Sequence, residues 1–439
     1  MADKGGLEPA EVGGEELRCD VLVVGGGPAG IAAASRAAEE GAEVVLVDQG
    51  NRLGGQIWRH RLESDLPRRA RGWLRRIRES GAVVRFRTTV ISAGPSLVVT
   101  AEVEDGGALR VKARQAVILA TGASERFLPF PGWTLPGVMG VGGLQAMQKS
   151  GWGVEGARIV LAGTGPLLLA VGSALRRGGA KVMFVAEQAP MQRLLRIVPS
   201  VLRAPRKCAE GIRYRWDLRS SAYSPGWWVT RAEGEAQVER TVLTNGKKEA
   251  TFQCDLLGIG YGLEPALELP ALWGCALGDL GVSVDRFQRT SVDGILAVGE
   301  PTGVAGVDAA LAEGEVAGFA ATGDPERTPA GLLRQTEAGR RFASKLDAVF
   351  RLRGELRKLA TDETILCRCE DVRVGEIRSA VSAREAKIAS RAGMGSCQGR
   401  VCGPALRFIL GSARDSVRPP IVPGRIETLA AKWQREEPT

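Results

Sequence analysis

Three features predict an α/β chain with two dinucleotide-binding domains and a small helical metal module at its C-terminal end. Two are glycine-rich strand–turn–helix units, each followed by a second strand that ends in an acid. The third is a set of four cysteines in two tight pairs, Cys367/Cys369 and Cys397/Cys402. A length of 439 residues accommodates two or three domains, each with its own core. An apolar fraction of 44% beside 25% charged residues is that of a globular chain, and no stretch reaches the ~18 uncharged apolar residues of a membrane helix.

Residues 1–18 are polar and acidic, lack the apolar core of a targeting peptide, and read as a flexible leader of a cytoplasmic protein. A buried strand starting at Cys19 runs into Gly25-x-Gly27-x-x-Gly30. Pro28 and Ala29 complete the turn, a helix from Ile31 to Glu40 follows, and a strand from Glu43 to Val47 then ends at Asp48 and Gln49. Gly25 permits the tight turn, Gly27 admits a pyrophosphate to the backbone, and Gly30 lets helix and strand close up. Free N–H groups at the helix start suit a diphosphate, and Asp48 lies where a carboxylate accepts from ribose hydroxyls.

Between Arg59 and Arg78, apolar residues Leu66, Ala70, Trp73, Leu74 and Ile77 recur at helical spacing and leave arginines on the other face. This predicts a solvated surface helix and accounts for much of the net charge of +9. Without a helix-turn-helix, finger or RNA-binding pattern, nucleic acid is excluded as a partner.

Further motifs follow: Gly54-Gly55-Gln56, an apolar strand from Gln115 ending at Thr121-Gly122, and Gly294 to Gly299-Glu300. They resemble the accessory motifs of two-dinucleotide flavoproteins of the glutathione and thioredoxin reductase superfamily, which implies FAD in the first fold. The resemblance puts the glycine pair beside the ribityl chain. It gives Glu300, an Asp in that superfamily, a ribityl hydroxyl to bind. The helix opened by Val307-Asp-Ala-Ala310, Ala309 included, points its N-terminus at the flavin pyrimidine ring and stabilises negative charge there.

Arg158 to Leu168 repeats the pattern with Gly163, Gly165, Pro166 and Leu167, and the following strand ends at Glu187. Leu168 stands where a glycine or alanine allows close packing. Glu187 suits a ribose 2′-hydroxyl and repels a 2′-phosphate, which favours NAD(H) or another adenine nucleotide over NADP. A retained fold without a nucleotide fits the same pattern, and both readings stay open. Neither fold carries a C-x-x-C pair, which argues against disulfide reduction.

Cys19, Cys208, Cys254 and Cys275 are scattered and read as small buried apolar residues. The four C-terminal cysteines fit zinc or an iron–sulfur centre by count. A C-x-C spacing is awkward for a zinc knuckle, and beside a flavin fold a 2Fe–2S cluster is the expected occupant. One histidine, His60, and no triad or paired carboxylates leave no candidate acid–base catalyst, so no catalytic residue is assigned.

The segments Phe130–Val138, Gly165–Leu168, Asp255–Pro265 and Gly393–Cys402 resemble one family across about Cys19 to Gly411. It comprises the FAD-containing A or α subunits of opine oxidases, the B chain of hydrogen cyanide synthase, and the α subunits of dye-linked proline and D-hydroxyproline dehydrogenases. The last segment resembles the bacterioferritin-associated ferredoxin type of 2Fe–2S domain. This resemblance implies a hetero-oligomer in which a separate flavin subunit oxidises an amine of the opine, proline, hydroxyproline or glycine class. The present chain then accepts and relays electrons to an acceptor such as a quinone or respiratory carrier, in the cytoplasm or at the inner face of the membrane. A self-sufficient NADH:acceptor oxidoreductase and an assembly subunit with vestigial nucleotide sites are the alternatives.

The expected division is a leader (1–18), a first segment of the FAD domain (19–130), an inserted NAD-type domain (131–274) and a second segment of the FAD domain (275–325). A linker and helix (326–361), the 2Fe–2S domain (362–412) and a tail (413–439) follow.

Overall fold

The computed structural model describes residues 14–202, 204–413 and 416–431. Of the expected leader, residues 1–13 lie outside the described residues. The first strand, Glu15–Val24, starts inside the other end of that leader, and Glu15 to Arg18 pair in parallel with Leu109 to Lys112. The alternation there is polar and exposed, so hydrophobicity alone does not mark it as strand.

Glu15–Val24 lies centrally in a seven-stranded sheet, flanked by Val44–Val47 and by the long strand Ala108–Leu119. The inner strands are near-continuous valine and leucine because helices cover their faces. One half of Ala108–Leu119 pairs antiparallel with Val98–Val103, and its last three residues pair in parallel with Ile295–Ala297. A chain segment nearly two hundred residues downstream thereby returns to the first sheet, beside the glycine turn.

The helix Pro28–Glu39 packs along the later helix Val307–Ala321. Their approach depends on small residues: a methyl on Gly314 would overlap the Ala29 carbonyl oxygen, and one on Gly318 would come 2.5 Å from Arg36 Cβ. The arginine helix, Arg68–Glu79, buries Ala70, Leu74 and Ile77 as expected. Its charged face is not simply solvated, however. Arg76 bonds Glu39 at 2.5 Å and Glu315 at 2.8 Å, Arg78 bonds Glu63 at 2.5 Å, and Arg69 pairs with Asp308.

The second fold is a five-stranded parallel sheet ordered Ala222–Pro225, Lys181–Glu187, Arg158–Thr164, Leu256–Tyr261, Val138–Gly140. The stretch after Gln188 is more regular than its sequence suggests. It holds helices from Met191 to Leu202 and from Pro205 to Asp217, then a three-stranded antiparallel sheet, Trp228–Glu233, Arg240–Thr244 and Glu249–Gln253.

A 21-residue helix, Ala330–Phe350, leads to the cysteine module. That module shares a core with the second fold: Leu356, Leu366, Val374, Ile377 and Leu406 pack in one cluster with Phe130, Trp133 and Trp228. It contains a small hairpin, Ile365–Cys367 with Val372–Arg373, and helices Ala383–Ser390 and Cys402–Leu410. The tail returns to the first fold, where the Ile421 N–H donates to the Ile91 carbonyl at 2.8 Å and the Arg425 N–H to Glu102 at 2.6 Å.

Candidate active site

A cleft of about 2250 Å³ opens at the carboxyl ends of the first sheet's strands. Gly25 adopts φ +109°, and a methyl there would strike the Ala120 carbonyl group. At Gly30 a methyl would overlap the Gly25 carbonyl oxygen, whereas around Gly27 nothing lies within 4 Å. The turn is therefore packed shut behind and open in front. Gly27 caps the helix with no side-chain acceptor, so the first N–H groups face the cleft unsatisfied by any side chain. These features fit a diphosphate.

Asp48 holds the turn as well as facing the cleft: the Gly26 N–H donates to its Oδ2 at 2.5 Å and the Gly50 N–H to its Oδ1 at 2.6 Å. Gly55 comes so near that its methyl would sit 3.0 Å from Gly27 Cα, and the Gly54 N–H donates to the Gly26 carbonyl at 2.8 Å. Thr121 donates to the Ala266 carbonyl at 3.0 Å, and Glu300 lies across from Gly122. Burial pushes the Glu300 carboxyl above the usual range, opposed by the Ala123 N–H.

Gly25, Gly27, Pro28, Ala29, Asp48, Gln49, Gly55, Gln56, Thr121, Gly122, Gly299 and Glu300 all line the cleft, so residues from five separate stretches meet there. Gly30 and Gly54 stand behind it as packing positions. Ala309 is corrected in the same way. It is buried against the Ala330–Phe350 helix, where Gly339 leaves room for it, and Val307 and Ala310 are the residues of the Val307–Ala321 helix that reach the cleft.

Glu313 has no place in the sequence reading. It is fully buried one helical turn and a half into Val307–Ala321, where the Gly299 N–H donates to it at 2.7 Å and Thr302 at 3.0 Å. Burial raises its carboxyl to about 7, against which the Gly299 and Thr302 bonds work. Glu313 thus fixes the turn that presents Glu300. Nothing in the sequence separates it from Asp308 and Glu315, the other two acids of the same alanine- and glycine-rich helix.

In the second fold Gly163 is closed against the Gly260 carbonyl and Gly165 faces open space. Leu168 is buried in the core, and Leu167 reaches the first cleft. Glu187 faces inward. Thr164 donates to it at 2.7 Å, the Gly165 N–H at 2.8 Å and the Ala189 N–H at 2.8 Å, and burial raises it to about 7. The chain also crosses this strand end: Gln188 Nε2 donates to the Phe350 and Arg351 carbonyls at 3.4 Å, and the Arg353 N–H donates to Gln188 Oε1 at 3.2 Å. The Arg353 guanidinium lies 4.2 Å from the Trp228 ring centre. With the acid spent on protein donors and its strand end covered, these residues do not fit a dinucleotide.

All four C-terminal cysteines line a second cavity of about 380 Å³, floored by Phe127, Trp133 and Met139. They meet crosswise, Cys367 beside Cys402 and Cys369 beside Cys397. The Cys397 N–H and Ser396 hydroxyl hold the Cys369 thiol below its usual range, whereas burial and the neighbouring sulfurs push Cys402 up. Gly395 must be glycine, because a methyl there would overlap Cys369 Cβ. Four sulfur donors on one cavity fit a thiolate-ligated cluster by donor chemistry. Even so, among the described residues no group of three or more His, Cys, Asp or Glu is gathered tightly enough to hold a metal ion.

Trp133 anchors the module. Its indole N–H donates to the Ile365 carbonyl at 2.6 Å, and its ring packs against Phe127 with the ring centres 5.0 Å apart and the planes tilted by 42°. Glu264 joins Arg126 at 2.6 Å to Arg407 at 2.8 Å across the same boundary. The other cysteines are unpaired. Cys19, Cys254 and Cys275 are buried, with Cys19 and Cys254 raised to about 11 by burial, and Cys208 is only half-buried.

A family model described as pyridine nucleotide-disulphide oxidoreductase matches residues 19–314. The opine oxidase A chain of Rhizobium meliloti (strain 1021) is 31% identical over 92% of this chain and 96% of its own length. The HcnB subunit of hydrogen cyanide synthase from Pseudomonas aeruginosa is 31% identical over 87% of this chain and 90% of its own. Among solved structures, L-proline dehydrogenase from P. horikoshii superposes with a TM-score of 0.67 at 20% identity, covering 95% of this chain and 80% of that one. Thioredoxin reductase from T. acidophilum gives 0.55 at 22%, covering 70% and 98%; both likenesses concern the fold. With a flavin cradle of this geometry, the chain belongs to the pyridine nucleotide-disulphide oxidoreductase family, alongside opine oxidase A chains and HcnB, and is an FAD-dependent oxidoreductase.

Proposed function

We propose that the chain is the FAD- and 2Fe–2S-bearing subunit of a heteromeric amine or amino-acid oxidoreductase. It accepts electrons from a partner flavin subunit that oxidises an opine, proline, hydroxyproline or glycine. The observation that carries this reading is the position of Cys402, which lines both the large cleft and the small cavity walled by the other three cysteines. One side chain thus borders both candidate cofactor sites. The similarity to proteins named as subunits, opine oxidase A and HcnB, supports a partner.

The residues around Gly25, Gly55, Thr121 and Glu300 would hold FAD, and Cys367, Cys369, Cys397 and Cys402 the cluster. FAD supplies two-electron chemistry when bound and a 2Fe–2S centre one-electron chemistry. The chain's own role is positional. Asp48 and Glu313 fix the two turns that face the cleft. The Trp133 and Glu264 contacts hold the cysteine module against it. No side chain on the cleft is called on to move a proton from a substrate, in keeping with amine oxidation in the partner.

The proposed units keep the division drawn from the sequence, with the FAD domain extended back to Glu15, whose strand pairs with Ala108–Leu119, and joined by the segment around Ile421, which bonds Ile91. On this reading the chain works in the cytoplasm or at the inner membrane face, passing electrons to a quinone or respiratory carrier. The closure of the second fold around Glu187 counts against NADH as donor. The test is metal and flavin analysis of the purified chain. FAD with iron and acid-labile sulfide supports the proposal; zinc, or cysteines that stay metal-free after anaerobic reconstitution, overturns the cluster half of it.

A further inference from the structure

The helical run Met191–Leu202 is built from three short turns, none of which contains a buried residue. Met191, Leu195, Val198 and Leu202 recur at i, i+4, i+7 and i+11, and every one is exposed. In the next helix, Pro205–Asp217, Ile212 and Trp216 are one turn apart, and each is 67% exposed. The run's other side is occupied: it packs on the Ala330–Phe350 helix, where Lys345 donates to Ser200 at 3.0 Å. A soluble fold gains nothing by turning such a stripe outward.

Charge says what covers it. Between Met191 and Arg219 the sequence has eight arginines and lysines against two acids, Glu210 and Asp217. Asp217 is already taken, accepting from Ser173 at 2.5 Å and lying 3.8 Å from Arg177. Arg196, Arg206, Arg213 and Arg219 are exposed beside the apolar residues, and the Arg219 guanidinium sits 5.0 Å from the Trp216 ring centre. Short helices that pair a leucine-type stripe with flanking arginines and a tryptophan suit the headgroup boundary of an anionic bilayer. Among the described residues no helix is long and apolar enough to cross a membrane, so the contact is one of lying on the surface.

We infer that the helices Met191–Leu202 and Pro205–Asp217 dock this protein onto an anionic lipid surface, with Leu195, Leu202 and Trp216 entering the acyl boundary and the neighbouring arginines meeting lipid phosphates. This does not depend on what the cysteines hold. The test is flotation of the full chain with vesicles of phosphatidylcholine alone or mixed with phosphatidylglycerol. Leu195→Gln plus Leu202→Gln leaves the charge unchanged, and Val381→Gln is a control at an exposed apolar site elsewhere.

The wild type and V381Q should partition into the anionic vesicles, less so in high salt. L195Q/L202Q should lose about tenfold or more of that partitioning with an unchanged melting temperature. Equal partitioning of L195Q/L202Q would mean adsorption by net charge alone and overturns the inference. So does absence of wild-type partitioning. Loss of vesicle binding by the native complex with its partner would assign the stripe to that protein instead and overturns it equally.

Discussion

Gly27 and Gly30 lie three residues apart in one turn, and the structure separates what each does. Around Gly27 nothing lies within 4 Å of the position a methyl would take, and its φ of −73° suits alanine. Gly27→Ala therefore leaves the protein fold alone, or strengthens it by about 0.4–1 kcal/mol through the unfolded chain. The added methyl instead fills the space in front of the helix N-terminus, where a diphosphate meets the free N–H groups. Losing one or two such charge-assisted bonds costs about 1.5–3 kcal/mol each, a fall in FAD affinity on the order of tenfold to a hundredfold or more.

Gly30→Ala acts differently, since its methyl would overlap the Gly25 carbonyl oxygen and come 3.3 Å from Ala120 Cβ. Both neighbours are core backbone or core side chain, and the helix cannot retreat because Gly314 is closed against Ala29 on its far side. Overpacking of this kind costs about 1–3 kcal/mol, offset in some measure by the better helix propensity of alanine. Flavin retention and melting temperature of the flavin-free chain, measured on both variants, separate the two effects. Full flavin retention by G27A would refute the placement of the diphosphate. A lower melting temperature for flavin-free G27A than for G30A would refute the packing argument.

Two further outcomes follow from named contacts. Glu313 is raised to about 7 by burial, so its protonated form is favoured in the folded state. Stability from this group is complete below the unfolded value near ~4.3 and is lost as pH rises through about 7, on the order of 3 kcal/mol in all. Glu313→Gln should therefore flatten the fall in melting temperature between pH 5 and pH 8, and an unchanged slope would show that the carboxylate is ionised in place. Trp133→Ala removes the tilted ring contact with Phe127 and the bond to Ile365, for about 3–5 kcal/mol. Limited proteolysis should then release the cysteine module while the first fold retains flavin; equal protection of the module would contradict its anchoring role.

The first fold was legible because its chemistry is local: strand, glycine turn, helix and Asp48 occupy one continuous stretch. The cysteines announced themselves by spacing, though not their crosswise pairing, which depends on the hairpin at Ile365–Arg373. Glu187 misleads for a physical reason. A strand-terminal acid reads the same in sequence whether it faces a ribose or turns inward to Thr164, Gly165 and Ala189. The cover over it comes from Phe350 to Arg353, more than 160 residues away, and no local pattern encodes that meeting. Long-range ion pairing likewise took up Arg69 and Arg76, whose acids Asp308 and Glu315 stand 239 positions on. Trp133 and Glu264 lay within the segments that carried the family resemblance, but only the fold explains them, as the contacts that hold the cysteine module to the second fold.

Under the proposed function, electrons reach this chain's flavin from a separate amine-oxidising partner and not from a nicotinamide bound in the second fold. Anaerobic titration of the purified chain with NADH, followed at the flavin band near ~450 nm, tests it most directly. Little bleaching is expected at stoichiometric NADH. Rapid, stoichiometric bleaching would contradict it, showing that the strand end around Glu187 opens to a dinucleotide and that the chain is a reductase in its own right.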